Sequence, residues 1–200
     1  MTLAGKSAFV TGGGSGVGAV IATVLAAQGA SVTICGRRSG PLDEVAATHP
    51  GITGTVCDIT DEAAISKAIA AAAPDIVVAN AGASESAPFT RTDVDAFRRM
   101  VDVNPPGTFL TLREGAKAMK GKPWGRLIAI ASTAGLKGYP YVAPYAAAKH
   151  GVIGMVKSVA LELVPKGIPA NSARPGFPDT AVKEPSVDHT RETASASPGA

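Results

Sequence analysis

Hydrophobic residues fall into two alternating kinds of segment along the chain. Short segments rich in β-branched residues are apolar at nearly every position, and Ala-rich stretches of helical length separate them. Continuous apolarity is typical of parallel strands that helices cover on both faces. The pattern predicts six strands, at residues 7–11, 31–35, 52–56, 75–79, 127–131 and 168–173. Their alternation with helices predicts an α/β fold, a single doubly wound parallel sheet of Rossmann type.

Residues at the ends of the Ala-rich stretches predict where helices begin and end. Residues 16–28 are expected to form one helix, which Gly29 closes. Thr60 is the predicted N-cap of a later helix that opens with Asp61 and Glu62. These two carboxylates suit the positive end of a helix dipole.

No linker or repeat divides the first 176 residues, so one domain is predicted over residues 1–177. Residues 178–200 contain few apolar side chains and end in a polar, Ser- and Ala-containing stretch. Such a composition buries little surface, and an irregular tail is therefore predicted there.

Composition narrows the classes of protein and partner. The net charge of +3 is small and the basic residues are scattered, so neither nucleic acid nor a membrane surface is expected as a partner. No segment resembles a signal peptide or a membrane span, which predicts a cytoplasmic protein. Cys35 and Cys57 form no C-x-x-C motif, so we expect two buried thiols in a reducing compartment and no metal site.

A glycine-rich turn follows the first predicted strand. The sequence T-G-G-G-S-G-V-G places Gly12, Gly16 and Gly18 where the first helix opens. Glycine lets backbone N–H groups approach a ligand, and a helix N-terminus favours a pyrophosphate. The spacing departs from Gly-x-Gly-x-x-Gly, and a flexible turn without a ligand is the alternative. Its position after the first strand of an α/β chain favours a dinucleotide.

The end of the second predicted strand bears on which dinucleotide is bound. NAD-binding chains usually carry an acidic residue there for the ribose 2′-hydroxyl, whereas this chain has Gly36 followed by Arg37 and Arg38. A guanidinium can hold a 2′-phosphate through paired hydrogen bonds. The pattern therefore favours NADP, with NAD as the alternative cofactor and a solvated basic pair as the alternative interpretation.

Three residues form a candidate reactive group. Ser132 follows the fifth predicted strand, and Tyr145 precedes Lys149 by four residues in Y-A-A-A-K. Residues four apart share one face of a helix. An adjacent ammonium can lower the pKa of a phenol, which makes the phenol useful as an acid/base. A helix that carries an unrelated Tyr and Lys is the alternative.

These motifs occur together with others in one order. They are T-G-G-G-S-G-V-G, Asp58 in C-D-I-T, A-N-A-G at 79–82, Ser132, Tyr145-x-x-x-Lys149 and R-P-G at 174–176. Over residues 3–180 this order and spacing resemble the short-chain dehydrogenase/reductase family. The stretch A-P-Y-A-A-A-K-H-G-V-I-G is similar to the branch that reduces ketones and 3-oxoacyl groups.

The resemblance implies a catalytic role for four residues. Tyr145 would protonate the substrate carbonyl oxygen as hydride leaves the nicotinamide, and Ser132 would hold that oxygen. Lys149 would lower the pKa of Tyr145 and bind the nicotinamide ribose. Asn104 corresponds to the asparagine that supports a proton relay through water in the family.

The resemblance also implies a set of cofactor contacts. Asp58 would contact the adenine, although an Asx turn or helix cap is its structural alternative. Asn80 would line the cofactor cleft, with a strand-end hydrogen bond as the alternative. The full implied set is Gly12, Ser15, Gly16, Val17, Gly18, Arg37, Arg38, Asp58, Ile59, Asn80, Ala81, Gly82, Tyr145, Lys149, Pro175, Gly176 and Thr180.

Two places depart from the family pattern. Pro105 and Pro106 follow Asn104 where the family continues a helix, so we expect the helix to be disturbed there. Pro169 and Arg174 are expected to weaken the sixth strand.

The end of the chain is a further departure. Members of the family usually continue with substrate-covering helices and a seventh strand, and the predicted tail supplies neither. We therefore expect an open substrate pocket. Subunit contacts would then fall to the helices around 107–120 and 145–163, in a homodimer or homotetramer.

The function predicted from these observations is an NADP(H)-dependent oxidoreductase that interconverts a carbonyl and a secondary alcohol, with a ketone or 3-oxoacyl compound as its small-molecule substrate. One alternative is a catalytically impaired NADP-binding or interaction protein that lacks the substrate-covering region. Another is an incomplete chain of marginal stability.

Overall fold

A computed structural model describes residues 2–176 of the protein. The strands in this part are β1 (Ser7–Thr11), β2 (Ser31–Gly36), β3 (Ile52–Val56), β4 (Ile76–Ala79), β5 (Arg126–Ile130) and β6 (Ala170–Ala173). The α-helices are α1 (Gly16–Ala27), α2 (Ser39–Ala46), α3 (Glu62–Ala72), α4 (Val94–Ala118) and α5 (Ala143–Leu163). Short 3₁₀ turns lie at Phe89–Arg91, Thr133–Gly135 and Val164–Lys166.

The six strands form one sheet in the order β3-β2-β1-β4-β5-β6, and every neighbouring pair is parallel. Separate apolar clusters cover the two faces of the sheet. The predicted doubly wound α/β fold is confirmed. Because the strands are parallel, their carboxyl ends meet at one edge, and the strand order reverses between β1 and β4.

Burial explains why the central strands are apolar throughout. All four residues of β4 are buried, and Phe9 and Val10 of β1 have no exposed surface. The edge strands β3 and β6 are only partly buried, because in the described part of the chain each has a neighbouring strand on one side only. Pro169 lies just before β6, and its carbonyl accepts a hydrogen bond from Leu127 N at 3.1 Å. The sixth strand is therefore shorter than predicted, but it pairs with β5 throughout its length.

The predicted N-cap of α3 is wrong by one residue. Asp61 caps this helix, because its carboxylate accepts from Ala64 N at 3.0 Å. Thr60 instead donates its backbone N–H and its hydroxyl to Asp58 Oδ1, at 2.9 and 2.7 Å.

The expectation that two prolines disturb α4 is also wrong, since the helix runs from Val94 to Ala118 through Pro105 and Pro106. Tertiary packing compensates for the lost backbone donors. A Cβ on Gly107 would overlap Ile59, and one on Gly115 would lie 2.9 Å from Val77 Cγ2, so α4 lies very close to its neighbours. This close packing holds the helix in one piece.

Three further expectations concern composition. Cys35 and Cys57 are free and buried, as predicted. Within residues 2–176 no helix is long and apolar enough to cross a membrane, and no group of three His, Cys, Asp or Glu side chains could hold a metal ion. The cytoplasmic location and the single-domain boundary stay predictions. The tail at 178–200 and the expected lack of a seventh strand lie outside the described residues.

Candidate active site

The glycine-rich turn joins β1 to α1 in a conformation that requires glycine. Gly12 and Gly16 have φ of 66° and 52°, a region that residues with a Cβ rarely adopt. The N–H of Gly12 donates to Cys35 O at 2.8 Å. A Cβ on Gly18 would overlap Gly12 O and lie 2.5 Å from Asn80 Nδ2. The turn is therefore a fixed, closely packed loop rather than a flexible one.

The N-terminus of α1 has backbone donors available for an anion. Ser15 is the N-cap, is exposed, and makes no capping hydrogen bond with its side chain. The N–H groups of Gly16, Val17 and Gly18 belong to the first turn, where a helix leaves donors without intrahelical partners. No acidic residue occupies that turn. A glycine cradle with free amides at a helix N-terminus fits the pyrophosphate of a dinucleotide.

Asn80 connects the end of β4 to the glycine turn. Its Nδ2 donates to Thr11 O at 3.0 Å and to Gly12 O at 3.3 Å. The N–H groups of Asn80 and Ala81 both donate to Thr11 Oγ1, at 2.9 and 3.0 Å. Asn80 therefore makes the strand-end hydrogen bonds that the structural alternative describes. Thr11, which was not predicted as a site residue, is buried and its hydroxyl accepts both backbone bonds.

Arg37 and Arg38 lie just past β2, where both side chains are exposed. Neither forms an ion pair with another residue of the described chain. Asp58 has its pKa lowered, mainly by the Thr60 N–H and Thr60 hydroxyl that it accepts and more weakly by the charge of Arg37. Asp58 therefore forms an Asx turn. The neighbouring Ile59 is buried.

Ser132 and Tyr145 are brought together by a close approach of two elements. Ser132 has extended φ and ψ after β5 and caps the Thr133–Gly135 turn, its Oγ accepting from Ala134 N at 3.1 Å. A Cβ on Gly135 would lie 2.7 Å from Lys149 O, so only glycine lets this turn lie against α5. Tyr145 lies in the first turn of α5, close enough to Ser132 for the serine hydroxyl to lower the pKa of the phenol.

Burial dominates the electrostatics of the site. It raises the pKa of Tyr145, and the nearby Ser132 hydroxyl lowers that pKa by less. It also lowers the pKa of Lys149 to about 8. Lys149 Nζ donates to Ile130 O at 3.1 Å and lies 5.6 Å from the centre of the Tyr145 ring. Burial and Ser132 account for the shift of the Tyr145 pKa in the chain without cofactor, and the lowering of that pKa by Lys149 stays a prediction.

Asn104 is fully buried beneath the same edge. Its Nδ2 donates to Ala83 O at 3.0 Å and to Met100 O at 2.9 Å, but its Oδ1 has no hydrogen-bond partner within residues 2–176. A Cβ on Gly82 would lie 2.5 Å from that oxygen and 3.5 Å from Lys149 Nζ. An unpaired acceptor beside Gly82 and Lys149 suits a water or a ligand hydroxyl.

The R-P-G segment extends the β5–β6 edge. Thr133 N donates to Pro175 O at 3.0 Å, which brings Pro175 next to the residue that follows Ser132. Gly176 is exposed beyond it, and Thr180 lies outside the described residues. The structure thus collects the glycine turn, Asn80, Gly82, Asn104 and the Ser132–Tyr145–Lys149 group at the carboxyl edge of one sheet.

A second hydroxyl pair adjoins Ser132 and was not predicted. Tyr139 OH donates to Thr133 Oγ1 at 3.0 Å. Between Thr133 and Tyr139 the chain forms a short 3₁₀ turn and then an irregular stretch. No helical or strand period therefore predicts this pair from the sequence.

Comparisons with known proteins agree with this geometry. The family model described as short chain dehydrogenase matches residues 6–191. The 3-oxoacyl-[acyl-carrier-protein] reductase MabA of Mycobacterium avium is 37% identical over 180 residues, or 88% of this chain and 68% of that protein. D-beta-hydroxybutyrate dehydrogenase of Rhizobium meliloti is 35% identical over 94% of this chain and 77% of its own.

A solved structure is similar in fold and sequence. It is a candidate NAD(P)-dependent gluconate 5-dehydrogenase from Beutenbergia cavernae with NADP bound at low occupancy. Its TM-score is 0.83 at 34% identity, and the match covers 90% of this chain and 75% of that one.

Proposed function

The chain belongs to the short-chain dehydrogenase/reductase family and is an NAD(P)-dependent oxidoreductase, and from this premise we propose that it interconverts a ketone and a secondary alcohol with Tyr145 as the acid/base. The observation that carries the proposal is the approach of Tyr145 to Ser132, with Lys149 buried one helical turn further along α5. The hydroxyls of Tyr145 and Ser132 are near enough to act on one carbonyl oxygen.

The residues act on that oxygen in a simple order. In reduction, Tyr145 transfers its phenolic proton to the carbonyl oxygen while Ser132 donates a hydrogen bond to it. The nicotinamide supplies the hydride when bound. Lys149 stabilises the developing phenolate by its charge, and a water beside Asn104 and Lys149 can return the proton. A phenol with a raised pKa keeps its proton near neutral pH, and the proton donor in reduction must hold one.

NADP is the proposed cofactor in preference to NAD. Arg37 and Arg38 are exposed at the end of β2 without ion-pair partners in the described chain, and Gly36 offers no carboxylate to a ribose hydroxyl. A guanidinium in that place favours a 2′-phosphate. The similar structure that contains NADP supports the same preference.

The proposed substrate is a ketone or a 3-oxoacyl compound, as the names of the relatives suggest. We further propose a homodimer or homotetramer with contacts through α4 and α5. Phe109 on α4 is 46% exposed and Leu161 on α5 is 82% exposed, so each helix has a large apolar side chain available for a subunit contact. The impaired-enzyme alternative depends on residues 178–200, and nothing in the described residues favours it.

Tyr145→Phe tests the mechanism. The substitution should lower kcat for ketone reduction by about 10² to 10⁴ while NADPH binding is retained, because the phenol acts on the substrate rather than the nucleotide. Binding is measured by fluorescence titration with NADPH and NADH, and turnover by NADPH oxidation over a panel of ketones. Unchanged turnover in Tyr145→Phe would rule out the mechanism. Tight NADPH binding by the wild type with no turnover of any ketone would support the impaired-enzyme alternative.

A further inference from the structure

The turn that follows β5 lies directly on the backbone of α5. A Cβ on Gly135, the last residue of the Thr133–Gly135 turn, would be 2.7 Å from Lys149 O and 2.9 Å from Lys149 C. Gly135 is buried, and the atoms that it faces belong to the main chain of a helix, which cannot turn aside as the end of a side chain can. Any side chain at this position must therefore push the turn and the helix apart.

The same stretch of chain also holds the other end of Lys149. Lys149 Nζ donates to Ile130 O at 3.1 Å, and Ile130 is the last residue of β5. The stretch 130–135 thus contacts the Lys149 ammonium with its first residue and the Lys149 backbone with its last. Ser132 lies between these two contacts.

Short hydrogen bonds fix Ser132 within this stretch. Its Oγ accepts from Ala134 N at 3.1 Å, and its carbonyl accepts from Gly135 N at 2.9 Å. Ala131 N donates to Ala173 O at 2.8 Å, which ties the stretch to β6. Because Ser132 and Gly135 belong to one hydrogen-bonded turn, a displacement of Gly135 from α5 is transmitted to the Ser132 hydroxyl.

We propose that Gly135 is a positioning residue, which sets the separation between the Ser132 hydroxyl and α5 by letting the turn rest on the Lys149 backbone. The inference rests on the proposed function, in which Ser132 and Tyr145 act on one carbonyl oxygen. An alanine methyl group at 135 would have to retreat from 2.7 Å to the 3.4 Å at which ordinary contacts begin. Reacting groups that are misplaced by about 1 Å can lose about 10²-fold in rate.

Gly135→Ala tests the inference, and two other glycines supply the controls. Gly138→Ala adds the same methyl group to the same connection, at an exposed position with no atom within 4 Å of the new Cβ. Gly115→Ala adds it at a buried position of α4, 2.9 Å from Val77 Cγ2 and 3.0 Å from Leu127 Cδ2. The first variant controls for the substitution itself, and the second controls for crowding of the core.

The rate is measured as the single-turnover constant for oxidation of bound NADPH, with the ketone of the panel that the wild type reduces fastest. This constant refers to folded enzyme that has bound NADPH, so a loss of stability alone does not lower it. We expect Gly135→Ala to lower the constant by about 10-fold to 100-fold. The Kd for NADPH should stay close to that of the wild type, because the glycine turn after β1 is unchanged. Gly138→Ala and Gly115→Ala should keep the wild-type constant.

A double variant separates the helix backbone from a neighbouring side chain. The new Cβ at 135 would also lie 2.7 Å from Ile153 Cδ1, an atom that Ile153→Val removes. Gly135→Ala/Ile153→Val keeps the overlap with Lys149 O, so it should be as slow as Gly135→Ala, whereas Ile153→Val alone should keep the wild-type constant. Thermal unfolding midpoints establish that each variant is folded, and if Gly135→Ala does not fold, the less crowded double variant carries the test.

Three results would overturn the inference. They are a wild-type constant in folded Gly135→Ala, an equal loss in Gly115→Ala, which would indicate a general effect of crowding, and full recovery in the double variant, which would assign the effect to Ile153. Failure of the proposed function has a different signature, because the wild type would then oxidise NADPH with no ketone of the panel.

Discussion

The ammonium of Lys149 lies 5.6 Å from the centre of the Tyr145 ring and donates to the carbonyl of Ile130 at 3.1 Å. Lys149 is only 4% exposed, and no carboxylate pairs with it in the described chain. Burial therefore lowers its pKa from 10.5 to about 8. The fold maintains a cation beside the phenol at a cost in stability.

That cost should appear in the pH dependence of folding. Below pH 8 the native and unfolded states both hold the Lys149 proton, whereas between pH 8 and 10.5 the unfolded state holds it and the native state has released it. Stability then rises with pH, because the unfolded state binds more protons. Relative to Lys149→Met, the free energy of unfolding of the cofactor-free wild type should increase by about 1.4 kcal/mol per pH unit in this window.

Urea unfolding at a series of pH values up to about 10, where tyrosines begin to ionise, measures this difference. Lys157→Met, which removes an exposed lysine from the same helix, should track the wild type. A difference between wild type and Lys149→Met that does not change with pH would contradict the lowered pKa.

Gly18→Ala should damage the cofactor site although alanine is the better helix former. The new Cβ would overlap Gly12 O and lie 2.5 Å from Asn80 Nδ2, so the glycine turn or Asn80 must move. We expect a loss of about 1 to 3 kcal/mol in the free energy of unfolding, as for other overpacked sites, and weaker NADPH binding.

Gly40→Ala is the matched control for this substitution. Gly40 is also helical and has no atom within 4 Å of an added Cβ, so its replacement should raise stability by up to about 1 kcal/mol. Denaturant titration and NADPH fluorescence measure both variants. Normal NADPH affinity in Gly18→Ala would show that the turn is not the pyrophosphate site.

Arg37→Asp should reverse the cofactor preference. The substitution removes a donor to the 2′-phosphate and adds an acceptor for a ribose hydroxyl, so the Kd for NADPH should rise by roughly tenfold to a hundredfold while NADH binding is kept or improved. Fluorescence titration with both nucleotides measures the change. Lys67→Asp makes the same change of charge on the exposed surface of α3 and should leave the preference as it is. Unaltered NADPH affinity in Arg37→Asp would mean that the cofactor assignment is wrong.

Pro106→Ala should stabilise the protein. Pro106 is exposed inside α4, and alanine restores an N–H that can donate to the Asp102 carbonyl. We expect a gain of about 1 to 3 kcal/mol in the free energy of unfolding, measured by urea titration. Pro123→Ala, in the exposed connection before β5, should instead cost up to about 1 kcal/mol because it frees the unfolded chain. A loss of stability in Pro106→Ala would indicate that the proline pair itself is required for the shape of α4.

The sequence alone determined the architecture and supplied the candidate reactive residues. Buried parallel strands require continuous apolar runs, so β1 and β4 could be located to within a residue. The four-residue spacing of Tyr145 and Lys149 follows from the helical period, and the glycines of the first turn follow from the backbone conformation it needs. Each of these properties depends on residues close together in the chain, so the pattern of the sequence reveals it.

Only the tertiary structure decided how those residues behave. It kept α4 continuous through Pro105 and Pro106, because Gly107 and Gly115 let that helix lie close to Ile59 and Val77. It also set the direction of the Tyr145 pKa and joined Tyr139 to Thr133. Burial and contacts between distant residues depend on how the whole chain packs, and no short stretch of sequence records that.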